Sequence, residues 1–444
     1  MSTAKKSFGA LLLGAAGVMV MNAGQALAGE ILKASSAQES VMAERLLKAD
    51  RTIKRRRLVD IDTAELGRQI LPQGSDKAAN RAALSAKLGG DVSLQLFGDV
   101  KVRLKRRSVE AGFGGGVTWS ATASGHDYGI LVVNNGRVTG SIEVGGRSYL
   151  IEPVGSGSHH RVREVDSEAY RDDVHKELPA GAQRVKGGHG GGGGGGGGGT
   201  LTPPPPPPPP PIGTILEVNL LAAYTARALT LLAGVPADKI ALDVAIVNQG
   251  YVNSGVPLHM NLVGVTAVAS TYNEKASADY AQPLYDLTSG SGYNFPAIRS
   301  MRDSVAADLV TMYADRPEYC GIAWIGPSPS YAFSAINPAC NGTATLAHEL
   351  GHNMGLRHDR YVEAAASADV YNYGYVSIGA KVRDIMSYSN QCSALGFSCP
   401  RVTYYSSPAI IYNGYALGIP KGTAGAADAT RKLGENATAV SAFR

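Results

Sequence analysis

His348-Glu349-Leu350-Gly351-His352-Asn353-Met354-Gly355-Leu356-Arg357-His358-Asp359 is the stretch on which the reading of this chain turns. His348 and His352 stand four residues apart, so on a helix they project from one face, one turn above the other. Two imidazoles held in this way can grip one zinc ion at about 2.0–2.1 Å each. The Glu349 carboxylate, beside the first of them, can reach a water on that ion without being a ligand itself. Gly355 marks where the helix can stop, because glycine enters the left-handed backbone region without steric cost. The chain then turns back and offers His358 as a third ligand. Three neutral histidines leave a coordination position for water, which a catalytic site needs and a closed structural site lacks. Beyond Pro211 the chain has four histidines, and three of them lie in this motif. A helix with solvated histidines is the bland alternative, and it must explain all of these spacings at once. The fourth, His259, falls in a strand pattern and reads as a packed or surface histidine.

The segment resembles the long zinc signature of metzincin metallopeptidases. Asp359, directly after the third histidine, is similar to the reprolysin (adamalysin) branch. A methionine-containing turn beneath the metal belongs to that resemblance, and Asp384-Ile385-Met386-Ser387-Tyr388 fits it, with Met386 as the floor of the site. Tyr388 departs from the adamalysin pattern and is similar to astacins and serralysins, where this tyrosine approaches zinc or the transition state. Packing is the other reading, and Tyr388 is not counted among the site residues. A looser resemblance runs from Ile215 to about Tyr415, including Tyr371-Asn372-Tyr373-Gly374-Tyr375.

The resemblance implies an α/β (α+β) catalytic domain with a twisted mixed sheet and an active-site helix. It also implies one catalytic zinc ion (Zn2+) held by His348, His352 and His358, with Glu349 as general base for hydrolysing internal peptide bonds of proteins or peptides. Substrate is expected along a sheet-edge strand by β-augmentation, with Tyr331–Ile336 as the candidate edge and Val402–Ile411 as a wall of the specificity pocket. Two other functions compete: a zinc hydrolase acting on a single protein, as a secreted toxin does, and a non-enzymatic adhesion or binding protein on the same scaffold. Intact His348, Glu349, His352 and His358 argue against the second.

Around the motif, strands and helices alternate. Ile215–Leu221 reads as a buried strand. Asp238–Asn253 reads as an amphipathic helix with Ile240, Val244 and Val247 on one face, ending near Gly255. Leu258–Val268 is a second strand, and Pro296–Tyr313 is a helix started by Asn294 and Pro296. Gly321–Ile325 and Tyr331–Ile336 complete the set as short strands. All four cysteines, Cys320, Cys340, Cys392 and Cys399, lie in this half. An even number in an exported chain predicts two disulfides. Three pairings are possible, and proximity favours Cys320–Cys340 with Cys392–Cys399.

Upstream, an unbroken glycine run from Gly190 to Gly199 meets an unbroken proline run from Pro203 to Pro211. The first is maximally flexible, the second stiff and extended, and neither builds a core. Residues 187–212 are therefore expected to link two units. Residues 213–444 form the catalytic unit. Residues 29–186 form a small, mostly antiparallel β module, with strands at Val92–Phe97, Gly129–Val133, Gly140–Val144 and Ser148–Glu152 joined by turns at Asn134-Asn135-Gly136 and Gly145-Gly146. A helix is expected at Met42–Ile53. This module reads as a pro-segment that inhibits the enzyme and is released near Arg184-Val185-Lys186, or alternatively as a permanently attached binding domain. Lacking cysteine, it has to block the metal through groups such as His126-Asp127 or His159-His160. Residues 1–28 read as a signal peptide: Lys5 and Lys6, an apolar run from Phe8 to Met21, then Ala26-Leu27-Ala28. The expected destination is extracellular, with no membrane span.

The net charge of +5 is unevenly spread. Residues 213–444 carry 15 Lys and Arg against 17 Asp and Glu, and the remainder carries 27 against 20. The basic runs Lys54–Arg57 and Arg103–Arg107 come with no nucleic-acid-binding motif and no interleaved aromatics. They read as a solvated face complementing a mildly acidic partner domain, and no nucleic acid is expected as a ligand.

Overall fold

A computed structural model describes residues 31–35, 50–70, 91–155, 157–170, 173–182, 214–364 and 370–444. The expected signal peptide, the 187–212 linker and the candidate processing point at Arg184–Lys186 lie outside the described residues. So does most of the helix expected at Met42–Ile53, and Ile53 itself opens a strand.

The front half is a nine-stranded antiparallel sheet: β1 (Leu32–Ala34), β2 (Ile53–Ile61), β3 (Val92–Phe97), β4 (Val100–Ala111), β5 (Val117–Thr122), β6 (Tyr128–Asn134), β7 (Arg137–Val144), β8 (Arg147–Pro153) and β9 (His159–Val165). Their spatial order is β1-β2-β9-β8-β7-β6-β5-β4-β3, with helix α1 (Thr63–Ile70) after β2. Two-residue periodicity builds it. Along β4, Val100, Val102 and Leu104 point into the core while Lys101, Arg103 and Lys105 face water. Trp119 and Tyr149 fill the centre. Asn135 and Gly136 both take positive φ, 49° and 75°, and Gly145 and Gly146 take 58° and 70°. Those angles suit tight hairpins whose twist matches the strands. The basic runs are largely paired inside this half: Arg55 binds Glu164 and Asp99, and Arg103 binds Asp91.

Strand β10 (Val174–Glu177) leaves the front half and joins the sheet of the back half. That sheet adds β11 (Leu216–Tyr224), β12 (Leu258–Ala267), β13 (Leu309–Tyr313), β14 (Gly321–Ile325) and β15 (Phe333–Ile336), in the order β10-β14-β15-β13-β11-β12. Only the β14–β15 pair is antiparallel, so the sheet is mixed as expected. Its helices are α2 (Ala226–Leu231), α3 (Pro236–Ser254), α4 (Gln282–Ser289), α5 (Phe295–Ser304), α6 (Thr345–Asn353), α7 (Asn390–Ala394) and α8 (Ala429–Val440). Disulfides join Cys320 to Cys340 and Cys392 to Cys399.

Three expectations need correcting. The helix expected over Pro296–Tyr313 stops at Ser304, because Leu309–Tyr313 is buried at every residue and serves as a central strand. Tyr331–Ile336 is not an edge: β15 lies between β14 and β13, and the back half's own strands end at β14 on the side of the active-site helix and at β12 on the other. Helix α3 is buried on two sides rather than one. Ile240, Val244, Val247 and Tyr251 join the catalytic core, while Ala241, Leu242 and Ile246 pack on Tyr128, Ile130 and Val132 of β6. Polar pairs border that contact. Asp238 accepts from Asn134 Nδ2 at 2.7 Å and Arg137 Nε at 2.8 Å, and Lys239 Nζ lies 2.7 Å from Glu152. Gly255 closes α3 with a φ of 65°.

Candidate active site

Helix α6 carries His348, Glu349 and His352, all fully buried. It ends at Asn353, and Gly355 then takes a φ of 97°, the left-handed turn its position predicts. The reversed chain forms the short strand Arg357–Asp359 and brings His358 back over the helix. The Nε2 atoms of His348, His352 and His358 lie 3.0–3.1 Å from one another. A triangle of that size suits three nitrogens on one ion at about 2 Å.

The other ring nitrogen of each histidine is already engaged. Nδ1 donates to Ile385 O at 2.8 Å in His348 and to Leu356 O at 2.8 Å in His352, while His358 Nδ1 lies 2.6 Å from Glu363 Oε1. Such contacts fix the tautomer and turn the Nε2 lone pairs inward. Burial, and then the neighbouring imidazoles, hold His348 and His352 well below the ordinary histidine range, so they stay neutral, the form that binds a metal. Three lone pairs converging without a shared proton repel unless a cation sits among them. The residues present therefore fit a single divalent ion.

Both Glu349 carboxylate oxygens are buried without a hydrogen-bond partner. Burial, and then the Asp173 carboxylate, push this group well above the usual carboxylate range, and Arg401 opposes them. Gly321 of β14 makes the room, since a Cβ there would collide with the Glu349 carboxylate. Met386 lies directly beneath α6: a Cβ on Gly351 would stand 2.7 Å from its Sδ. Asp359 ties this turn to the histidine segment, its Oδ2 accepting from Tyr388 N at 2.9 Å. The Tyr388 hydroxyl then reaches 3.0 Å from His358 Nε2, at the rim of the triangle. Sequence reasoning left Tyr388 aside, and the structure brings it in.

Two residues from the front half also enter, and no motif announced them. Asp173 is fully buried, with Oδ2 3.0 Å from Arg401 Nη1 and 3.7 Å from His348 Nδ1. The His175 ring lies 4.6 Å from that of His358 and 5.0 Å from that of His352, centroid to centroid. Potential ligand atoms thus gather in two groups, Asp173 with His348 and Glu349, and His175 with His352 and His358. Their one usable signal is alternation, because Asp173 and His175 share a face of an extended segment. The histidines expected to approach the metal engage elsewhere. His126 stacks on Tyr412 and contacts Tyr404 Oη at 2.9 Å, His159 pairs with Asp60, and His160 Nε2 accepts from Val138 N. His259 is a packed histidine, between Glu110 and Glu217.

A sequence profile described as Reprolysin_5, metallo-peptidase family M12, matches residues 216–406. A protein of Stenotrophomonas maltophilia (strain K279a) named peptidyl-Asp metalloendopeptidase is 31% identical over 388 residues, covering 82% of this chain and 85% of its own length. A protein of the same name from Xanthomonas campestris pv. campestris is 28% identical over 444 residues, covering 97% of this chain and 95% of its own. Among solved structures, metalloproteinase-II from Bacteroides fragilis aligns with a TM-score of 0.38 and 12% identity, over 61% of this chain and 81% of that one.

Proposed function

The chain belongs to metallo-peptidase family M12 as a reprolysin-like metzincin and is a metalloendopeptidase, and from that premise we propose that it is a secreted zinc enzyme, made latent, that cuts proteins beside acidic residues. The single observation that carries the catalytic part is the triangle of His348, His352 and His358 Nε2 atoms with the unpartnered Glu349 carboxylate beside it.

In this reading the three histidines hold the ion, which when bound acidifies a water and polarises the scissile carbonyl. Glu349 is the general base: it takes the attacking water's proton on a carboxylate oxygen and passes it to the leaving amine. Its raised affinity for a proton, caused by burial, suits a group that accepts and returns one. Tyr388 Oη stands where it can donate to the oxygen of the peptide under attack. Strand β14 is the edge against which substrate lies extended, the same edge that β10 covers in the full chain.

Latency is the role we assign to the front half. It sets β10 along β14 and places Asp173 and His175 among the site residues. The acidic preference draws on the name of the two relatives and on Arg401 in the site wall. Secretion draws on residues 1–28, the first of four parts: leader, residues 29–186, linker 187–212 and catalytic unit 213–444. Among the described residues no helix is long and apolar enough to cross a membrane.

Glu349→Ala is the deciding variant. It should keep one zinc per chain by elemental analysis and lose casein hydrolysis by at least about 10²-fold. A variant that still cuts casein overturns the role given to Glu349.

A further inference from the structure

Asp173 and Arg401 form a pair that the hydrolytic step does not need. Arg401 stands just after the second disulfide, on a segment locked by Arg383 N to Pro400 O at 3.1 Å and Val402 N to Arg383 O at 2.8 Å. Its side chain is 14% exposed. Two roles are open to a largely desolvated guanidinium beside the catalytic carboxylate: counter-ion to Glu349, or receptor for an acid on the peptide being cut. Its bonds separate them. Arg401 Nη1 contacts Asp173 Oδ2 at 3.0 Å and Nη2 contacts Ser387 O at 3.4 Å, whereas both Glu349 oxygens lack a hydrogen-bond partner. The guanidinium therefore serves the segment lying against the edge strand, where substrate is expected.

The neighbouring wall repeats the theme. Arg383, also buried, is ion-paired with Glu168 of the front half. Two back-half arginines thus receive two front-half acids within one short stretch, residues 168–173. When the front half leaves, each cation loses its carboxylate from that half, and Arg401 faces a space shaped for a carboxylate that adjoins His348 and Glu349.

Resting on the peptidase reading above, we propose that Arg401 is the specificity-determining residue, binding the acidic side chain of the residue that flanks the cleaved bond, and that Asp173 occupies this place in the full chain as its stand-in. A peptide with Asp at that position restores a charge-assisted bond to a desolvated guanidinium. One with Asn leaves the charge uncompensated, and sites built around a polar group reject analogues that cannot satisfy it. The short reach of Asp173 favours aspartate over glutamate. The cation explains why an acid is chosen rather than merely tolerated.

The test uses the full-length protein, purified and allowed to mature, on fluorogenic peptides that differ only in Asp, Asn or Lys at one residue. Wild type should cut the Asp peptide at least ~10²-fold better in kcat/KM than the Asn peptide. Arg401→Gln should collapse that ratio to below about 5, and Arg401→Lys, which keeps a cation without the fork, should retain part of it. A second readout needs no turnover. In the unprocessed chain, amide exchange across Val174–Glu177 should speed up in Asp173→Asn and in Arg401→Gln, and no further in the double variant. An unchanged Asp:Asn ratio in Arg401→Gln, or additive effects in the exchange cycle, overturns the assignment. If wild type cuts no peptide of the series, the peptidase reading itself falls, while the exchange cycle still reads the Asp173–Arg401 pairing separately.

Discussion

Glu363 shows how much of the site rests on residues that touch no substrate. Burial alone would raise its carboxyl, yet the hydrogen bond with His358 Nδ1, with the Arg357 guanidinium beside it, holds it well below the ordinary value. The same carboxylate orients His358 from 2.6 Å. Glu363→Gln should therefore weaken metal affinity about 10–100-fold, read by chelator competition, while leaving the fold intact. An unchanged affinity removes Glu363 from the site. At this scale legibility followed adjacency. His348, Glu349, His352, Gly355 and His358 are neighbours in the chain, and a single helical repeat with a turn after it predicts where they meet. Asp173, His175 and Arg401 reach the same spot through tertiary folding, and no spacing connects them to the motif; Glu363 comes just after His358 by a local turn, its N donating to Asp359 O at 3.0 Å. Arg401 fell one residue short of the expected specificity wall at Val402–Ile411.

Elements were legible where one face alone is buried. Val92–Phe97 alternates along most of its length, and the later hairpins were legible from their glycine-bearing turns, which stand where the pattern put them. Leu309–Tyr313 was misread as the tail of a helix because a strand buried on both faces has no alternation to show. The order of strands was beyond reach for a different reason: periodicity says that a segment is a strand and nothing of its neighbours. Hence β15 was expected at the edge and β14 holds it. If β10 covers that edge by backbone pairing, breaking its ladder must uncover it. Alternate amides of a strand face its neighbour, so His175→Pro combined with Lys176→Pro removes a ladder donor in either phase. In the unprocessed chain this pair should raise amide exchange of Gly321–Ile325 at least ~10-fold and increase casein hydrolysis. Exchange that stays slow means the edge is held by something else.

Across the whole molecule, the two halves are held by packing of α3 on β6 and by ion pairs that cross the contact. Glu152 is the most connected of these, bound to Arg161 and Arg163 within its own half and to Lys239 across the contact. Burial would raise its carboxyl, but Arg163, Lys239 and Arg161 together hold it well below the ordinary value of 4.5. A depressed folded-state value means that its contribution is present above about pH 4.5 and is lost as pH falls below that, and the Lys239 bond is the share of it that joins the halves. With the linker cut, the halves should co-elute from pH 8 to 5 and separate in stronger acid, as checked by size-exclusion chromatography. Separation already at pH 6 would show that Glu152 contributes nothing. Of this assembly, composition showed only that two units flank a glycine and proline tether. It did not show that the first unit sends a strand into the second. That strand has a consequence for how crowded molecules behave. A bare strand edge is a template on which any extended backbone can polymerise. While β10 is in place, copies at high concentration cannot offer the β14 rim to one another. With β10 removed, that rim would be open to a second copy, and crowding rather than dilution would be the condition under which it pairs.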